Sequence, residues 1–455
     1  GERRPFSDLE KKQLQGRVAV TRSMVAFFRG DVPEIIRNSR LALDYLPEHD
    51  LDWRSTAAIA LGDVHAIHGD TRAAYQARVE ALEISEKAGN IYMRLIASMK
   101  LAVTIGEQGR LKQVMEICNQ QLHLIQKQGL TQTGVAGGFL AIWGEVLAEV
   151  GELDEALQRT QRGVELAERG DDMVILGWSY LCLMRVLFTR MDMAEGQQLA
   201  HQIVNTAHVS DIPSWITRMI EAWQARIWLA QGDLGAASRW MEGRELDGDE
   251  DLHFLRDNER IIVARILIAQ ERLDDGLSLL DQLYTTVESK GRITKVIEIL
   301  LLQALVYQGK DDAEMATIAL DKAIALSEPE GFIRIFVDEG PPMARLLYQA
   351  LNREIAPEYV QQLLAAFPVA EQENDASTKG QLDQSKLIEP LSDRELEVMN
   401  LLARGLTNPE IASRLFLSLH TVKAHTRNIY SKLDVHNRTQ AVAKARGLGI
   451  LQSTS

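Results

Sequence analysis

Cysteine is almost missing from this chain. Among 455 residues only Cys118 and Cys182 occur, both inside apolar helical patterns and neither with a C-x-x-C or Cys/His ligand spacing. That excludes a disulfide framework and a structural zinc site, and it suits a reducing cytoplasm. Proline is scarce as well, 11 in all, which leaves room for long uninterrupted helices. No segment reaches the roughly 18 consecutive apolar residues of a membrane span, and the opening GERRPFSDLEKK lacks the apolar core of a secretory leader. The sequence therefore reads as neither exported nor membrane-embedded. Also missing is any Ser/His/Asp, Cys/His or metal-ligand pattern at informative spacing, so an enzyme is the least supported class. His65 and His68 share a helical face without a third ligand and read as ordinary helix-end residues, not a metal site. Positive charge is in deficit, with 50 Lys and Arg against 64 Asp and Glu for a net of −14.

A chain of this length is too long for one compact core and calls for several domains or a repeat array. Turn signals recur at Gly30-Asp31, Gly69-Asp70, Gly109-Arg110, Gly151-Glu152, Met191-Asp192, Gly232-Asp233, Glu271-Arg272 and Gly309-Lys310, at spacings of 39, 40, 42, 40, 41, 39 and 38. A fixed period in this range marks stacked units, none of which buries its own apolar face alone. Each turn lies between two helical apolar patterns, such as FLAIWGEVLAEV before Gly151 and LDEALQRTQRGVELAERG after it, so the unit is a helical hairpin. Ala74, Ala156 and Ala237 fall five residues after their turns, where a small side chain lets the second helix approach the first. These residues resemble a tetratricopeptide-like array, with units longer than the standard 34 residues, over about residues 16–327.

Such arrays curve into a superhelix whose concave face binds peptides, proteins or small molecules. All seven tryptophans lie in the array, and Trp143, Trp178 and Trp223, on the first helices of consecutive units, are candidates for a ligand groove. The competing reading is that they fill gaps between stacked helices.

The pattern changes near residue 330. EPEGFIRIFVDEGPPMARLLYQALN forces a turn at Gly340-Pro341-Pro342 and restarts a helix at MARLLYQAL, which suggests capping helices for the open end of the array, with Phe332 to Val337 read as helix. EQENDASTKGQLDQSK, residues 371–386, has too little apolar surface to fold and reads as a flexible linker.

The tail is different in charge and in signals. Ser392 with Glu395, and Thr407 with Glu410, form S/T-x-x-E capping boxes, Ser418 and Asn437 suit two more N-caps, and Gly405 and Gly447 end helices. Four short helices follow, at about 393–404, 408–415, 419–433 and 438–446, the second and third joined as a helix-turn-helix. Val422, Ile429 and Leu433 form one stripe of the third helix, set to pack on Leu402, Ile411, Ala412 and Leu415. His420, Thr421, Lys423, Ala424 and Arg427 are left on the outer face, as a recognition helix presents them to a major groove. Residues 391–447 hold nine Lys and Arg and five Asp and Glu, a net of +4 that leaves −18 for the rest. The acidic body repels a phosphate backbone, and the tail is drawn to one.

LSDRELEVMNLLARGLTNPEIASRLFLSLHTVKAHTRNIYSKLDVHNRTQAVAKARGLGIL resembles the LuxR-type DNA-binding domain along its whole length. The resemblance implies that Lys423, Ala424 and Arg427 face base edges and that Asn408, His420 and Thr421 lie near phosphates. Arg438 and Glu395 also match family positions and are expected to tie the fourth helix to the first. Together with the array and the EGFIRIFVDEGPPMARLL segment, the architecture is similar to the large MalT-like regulators. It implies an inducer-responsive transcriptional activator that binds double-stranded promoter DNA, takes a small-molecule inducer or regulatory protein on the array, and self-associates or exposes its tail in response. The alternative is a protein-interaction scaffold with an accessory DNA-binding tail.

Members of that family also carry an N-terminal ATPase module. No G-x-x-x-x-G-K-[ST] occurs here, and Gly309-Lys310 is followed by Asp311 without the upstream glycine. The chain starts at Gly1 without an initiator Met, as the C-terminal part of a longer protein would, and no ATP or other cofactor is expected on it. The expected fold is all-α: a helical-hairpin solenoid at 1–327, capping helices at 328–370, a flexible linker at 371–389 and a four-helix LuxR-type domain at 390–455.

Overall fold

The computed structural model describes residues 7–206, 212–244, 253–367, 393–404, 406–415, 419–433, 435 and 438–447. By contacts the chain divides into two units, Gly1–Asp338 and Glu339–Ser455. Among the described residues all regular structure is helical, and no helix is long and apolar enough to cross a membrane.

The first unit contains eight helical hairpins among its described residues: α1 (Asp8–Arg29) with α2 (Val32–Tyr45), α3 (Leu51–Ile67) with α4 (Thr71–Ala88), α5 (Ile91–Glu107) with α6 (Leu111–Lys127), α7 (Gly134–Glu149) with α8 (Leu153–Ala167), α9 (Met173–Thr189) with α10 (Met193–Thr206), α11 (Ser214–Ala230) with α12 (Leu234–Glu242), α13 (His253–Ala269) with α14 (Leu273–Ser289), and α15 (Ile293–Gly309) with α16 (Ala313–Ser327). The Gly-Asp pairs explain the compact turns. Gly30, Gly69 and Gly232 adopt left-handed φ of 72°, 76° and 79°, which costs a glycine little. The following Asp31, Asp70 and Asp233 then cap the next helix by accepting from the backbone N–H of Glu34, Ala73 and Ala236.

The eighth turn corrects the expected register. Gly309 is the last residue of α15; the left-handed residue is Asp311, at φ 58°, and Asp312 caps α16 through the Met315 N–H. A short polar side chain makes this conformation tolerable for aspartate, and the spacing from Glu271 becomes 40 residues.

Ala74, Ala156 and Ala237 are fully buried. α7 and α8 approach closely where Gly137 faces Gly163: a Cβ on Gly163 would stand 2.7 Å from the Gly137 carbonyl oxygen, so no side chain fits between the two backbones.

After α16 the chain turns at Gly331 and forms α17 (Arg334–Val337), one short turn of helix. Phe332 and Ile333, expected as helix, precede it with Ile333 at φ −124°. The second unit holds α18 (Pro341–Asn352), α19 (Pro357–Ala365), α20 (Asp393–Ala403), α21 (Asn408–Leu415), α22 (Leu419–Lys432) and α23 (Arg438–Gly447). The linker residues 371–389, and the capping residues Ser392, Ser418 and Asn437 with the helix-ending Gly405, lie outside the described residues.

Candidate nucleic-acid interface and array cavity

In the tail, α20 to α23 surround a small apolar core of Val398, Met399, Leu402, Ile411, Val422, Ile429, Leu433 and Ala441. The α22 stripe therefore points inward, and Leu415 packs at the edge of the same core. Two polar ties hold the bundle. Lys432 Nζ lies 3.0 Å from Glu395 Oε2, joining α22 to α20, and Arg438 Nη2 donates over 2.6 Å to the Leu402 carbonyl, joining α23 to the end of α20. Glu395 thus ties the first helix to the third through Lys432, and Arg438 ties the fourth to the first. At the start of α21 the Thr407 N–H and hydroxyl both donate to Glu410, at 2.7 and 2.8 Å, and these bonds hold the Glu410 carboxyl below its usual range.

Lys423 is exposed on α22, and Asn408 is half-buried at the first position of α21. His420, Thr421, Ala424 and Arg427 belong to α22 by backbone, and their side chains lie outside the described residues. Arg404, Arg414 and Lys444 are also exposed.

In the array, polar side chains serve closure. The loop after α14 and the start of α15 reach back to the second and third hairpins: Thr71 N–H and hydroxyl donate to the Lys290 carbonyl at 3.1 and 2.9 Å, Lys290 Nζ donates to the His68 carbonyl at 2.6 Å, and Thr294 donates to the Gly106 carbonyl at 2.7 Å. Arg292, fully buried, pairs with Glu107 at 3.1 Å and Asp257 at 2.7 Å. Burial pushes the Glu107 carboxyl up, but Arg292, Lys295 and Arg185 outweigh it and hold it below its usual range. Further along, the Ile333 and Ile335 N–H groups donate to the Glu149 carbonyl and carboxyl at 3.0 and 2.9 Å, and Arg334 donates to the Thr189 carbonyl at 2.7 Å. The superhelix so returns onto its own early turns.

Beside that closure lies a half-open cavity of about 310 Å³ lined by α1, α3, α4, α5, α9 and α11, with Ile142 of α7 and Arg292. Phe27 meets Trp215 edge to face across it, with centroids 6.1 Å apart. Of the three tryptophans singled out in the sequence, Trp178 lines this cavity. Trp143 packs beside Leu147 and Ala156 with the Arg159 guanidinium 3.9 Å from its ring, and Trp223 packs on Phe188 at 5.6 Å. Trp215 carries no such signal in the sequence, because periodicity gives no sign that α1 and α11 face each other.

The family described as MalT-like TPR region matches residues 16–353. The chain belongs to this MalT-like family. Its tail, residues 389–445, matches the luxR family of bacterial regulatory proteins. The HTH-type transcriptional regulator MalT of Yersinia enterocolitica is 27% identical over 452 residues, covering 96% of this chain and 50% of that protein; MalT of Yersinia pestis gives the same figures. This MalT-like chain thus spans about half the length of those relatives. Among solved structures, Rap protein complexed with competence and sporulation factor has a TM-score of 0.54 at 13% identity, over 72% of this chain and 89% of that one. At that identity the likeness is one of fold.

Proposed function

We propose that this MalT-like chain is a DNA-binding transcriptional regulator, acting as an inducer-responsive activator. In this reading residues 1–327 take an inducer or a regulatory protein, residues 371–389 tether the tail, and residues 390–455 bind promoter DNA. Lys423, Ala424 and Arg427 read base edges, while Asn408, His420 and Thr421 sit near phosphates. The observation that carries the reading is the placement of α22: its Val422 and Ile429, with Leu433 just past its end, are fully buried, while Lys423 on the same helix is exposed. A helix held by one face and presenting cations on the other is suited to a major groove. A single module of this size binds weakly, so two tails brought together by self-association of the array gain affinity through effective concentration.

The test is capture of genomic duplex fragments by the full chain, followed by sequencing. An enriched motif that disappears in the Lys423→Ala/Arg427→Ala variant supports the reading. Partner capture by the array with no DNA enrichment at any salt concentration contradicts it and favours the scaffold.

A further inference from the structure

We propose that the array cavity is a site for an uncharged, ring-bearing apolar molecule. The proposal rests on the reading of the array as the sensing part and gives its ligand a chemical class.

The charge on the wall decides the class. Three carboxylates, Asp63, Glu107 and Asp172, and three cations, Arg78, Lys100 and Arg292, line the cavity, so their formal charges cancel. Each carboxylate is already engaged within the protein. Asp63 takes Lys100 Nζ at 2.7 Å and Arg78 Nη2 at 3.3 Å, and Glu107 takes Arg292 at 3.1 Å. Asp172 caps α9 by accepting from the Val174 and Ile175 N–H groups, both at 3.0 Å. Lys100 also stands over the Phe27 ring, 4.9 Å from its centroid. A ligand with a charge of either sign would give up its hydration and meet only charges that are already paired, and an unpaired charge out of water is costly. The complement of a balanced wall is a neutral molecule.

The rest of the wall decides between polar and apolar. The hydroxyls of Thr56, Thr71 and Thr104 donate to the backbone carbonyls of Asp52, Lys290 and Lys100, so their hydrogens are spent inside the protein. A polyol would bury its own hydroxyls against side chains such as Ile59, Ile96 and Met99, at a cost that burial of apolar groups does not carry. Phe27 and Trp215 stand edge to face with centroids 6.1 Å apart, and Trp178 and Met93 line the same space. Aromatic edges and thioether sulfur both favour a ring as the guest. A volume of about 310 Å³ lies at the lower end of the range for small-molecule sites and suits a compact ring system. Met24, Phe28 and Tyr92 line the cavity while remaining 45%, 48% and 48% exposed, so large apolar side chains form the entrance.

The cavity also explains how occupancy reaches the fold. Gly69 and Thr71 line it from the second hairpin and Arg292 from the returning segment. A ligand therefore touches both sides of the contact that closes the array, which is the differential interaction a conformational response requires.

The experiment is isothermal titration calorimetry of the full chain with three molecules that share a ring system and differ in the head, 2-naphthalenemethanol, 2-naphthoate and 2-naphthylmethylammonium, and with sorbitol as the polyol. The alcohol is expected to bind at least about tenfold more tightly than either ion, a difference of about 1.4 kcal/mol, and sorbitol is expected not to bind. Phe28→Asp at the rim should weaken binding of the alcohol about tenfold; Phe28 is half-exposed, so that variant keeps the fold. Lys100→Met removes one of the three lining cations and should raise the affinity for the ammonium relative to the naphthoate about tenfold. An ion that binds as tightly as the alcohol, no binding of the alcohol, tight binding of sorbitol, or alcohol binding indifferent to Phe28→Asp overturns the proposal. So does an ammonium-to-naphthoate ratio that Lys100→Met leaves unchanged. DNA capture run on the same sample separates the two readings. Captured DNA without binding of the alcohol removes the ligand class alone, and binding of the alcohol without captured DNA removes the regulator reading alone.

Discussion

The array and the tail use the same charged residue types in opposite ways. In the array Arg292 is fully buried between Glu107 and Asp257, and Glu298, itself 8% exposed, collects Arg226, Arg265 and Lys295. There charge is consumed internally, holding together helices far apart in sequence. In the tail an apolar core does the packing, with ties such as Glu395–Lys432 and Arg438–Leu402 at its edge, and cations such as Lys423 remain at the surface. The net charge of +4 for residues 391–447, against −18 for the rest of the chain, runs the same way.

The contrast is broken most strongly from the array side. Arg292→Met leaves Glu107 and Asp257 without their shared cation, and removing one partner of a buried ion pair costs about 3–5 kcal/mol. Because all seven tryptophans lie between residues 53 and 240, tryptophan emission in a urea titration reads the array transition, which should shift to lower denaturant while DNA affinity in dilute buffer changes little.

Glu149 gives a smaller, pH-dependent effect. Burial pushes its carboxyl from an ordinary value of 4.5 to about 8, against the Ile335 N–H and the cations Arg334 and Arg226, with Asp338 adding to the rise. Across that window the folded chain holds a proton that the unfolded chain has released, so stability is lost as pH rises. Glu149→Gln keeps an acceptor for Ile335 and has no proton to take up. Its melting temperature should exceed that of the parent by on the order of several degrees at pH 8, and the two should converge near pH 5. Equal pH slopes for parent and variant would contradict this placement of the carboxyl.

The smallest effect sharpens the tail. Arg438→Met removes one charged hydrogen bond to the Leu402 carbonyl, worth about 1.5–3 kcal/mol. Weaker DNA binding with an unchanged tryptophan transition is expected; a shifted array transition would show that the tie acts beyond the tail.

What was legible in the sequence depended on range. Turns carried by glycine announced themselves because the left-handed conformation favours that residue. Met191 and Glu271, at φ 65° and 61°, were placed by the period alone, and where period and glycine disagreed the glycine at 309 misled by two residues from Asp311. The tail helices are legible from the Thr407–Glu410 capping box and a single apolar stripe, with α20 and α22 ending one residue earlier and α23 one residue later than expected, so that Gly447 is the last residue of α23. Closure of the array was not readable: Thr71 and Lys290 stand 219 residues apart, and no local signal pairs them. For the same reason Trp178 and Trp215, which line the cavity, look no different in sequence from Trp143 and Trp223, which pack between helices.

The most direct measurement is fluorescence anisotropy of the full chain on its captured duplex across a salt series, beside the Lys423→Ala/Arg427→Ala variant. The account predicts an affinity that falls steeply with salt and drops by about 1–3 kcal/mol for each side chain removed, with loss of sequence preference. An affinity that ignores salt and is unchanged in the variant would contradict it.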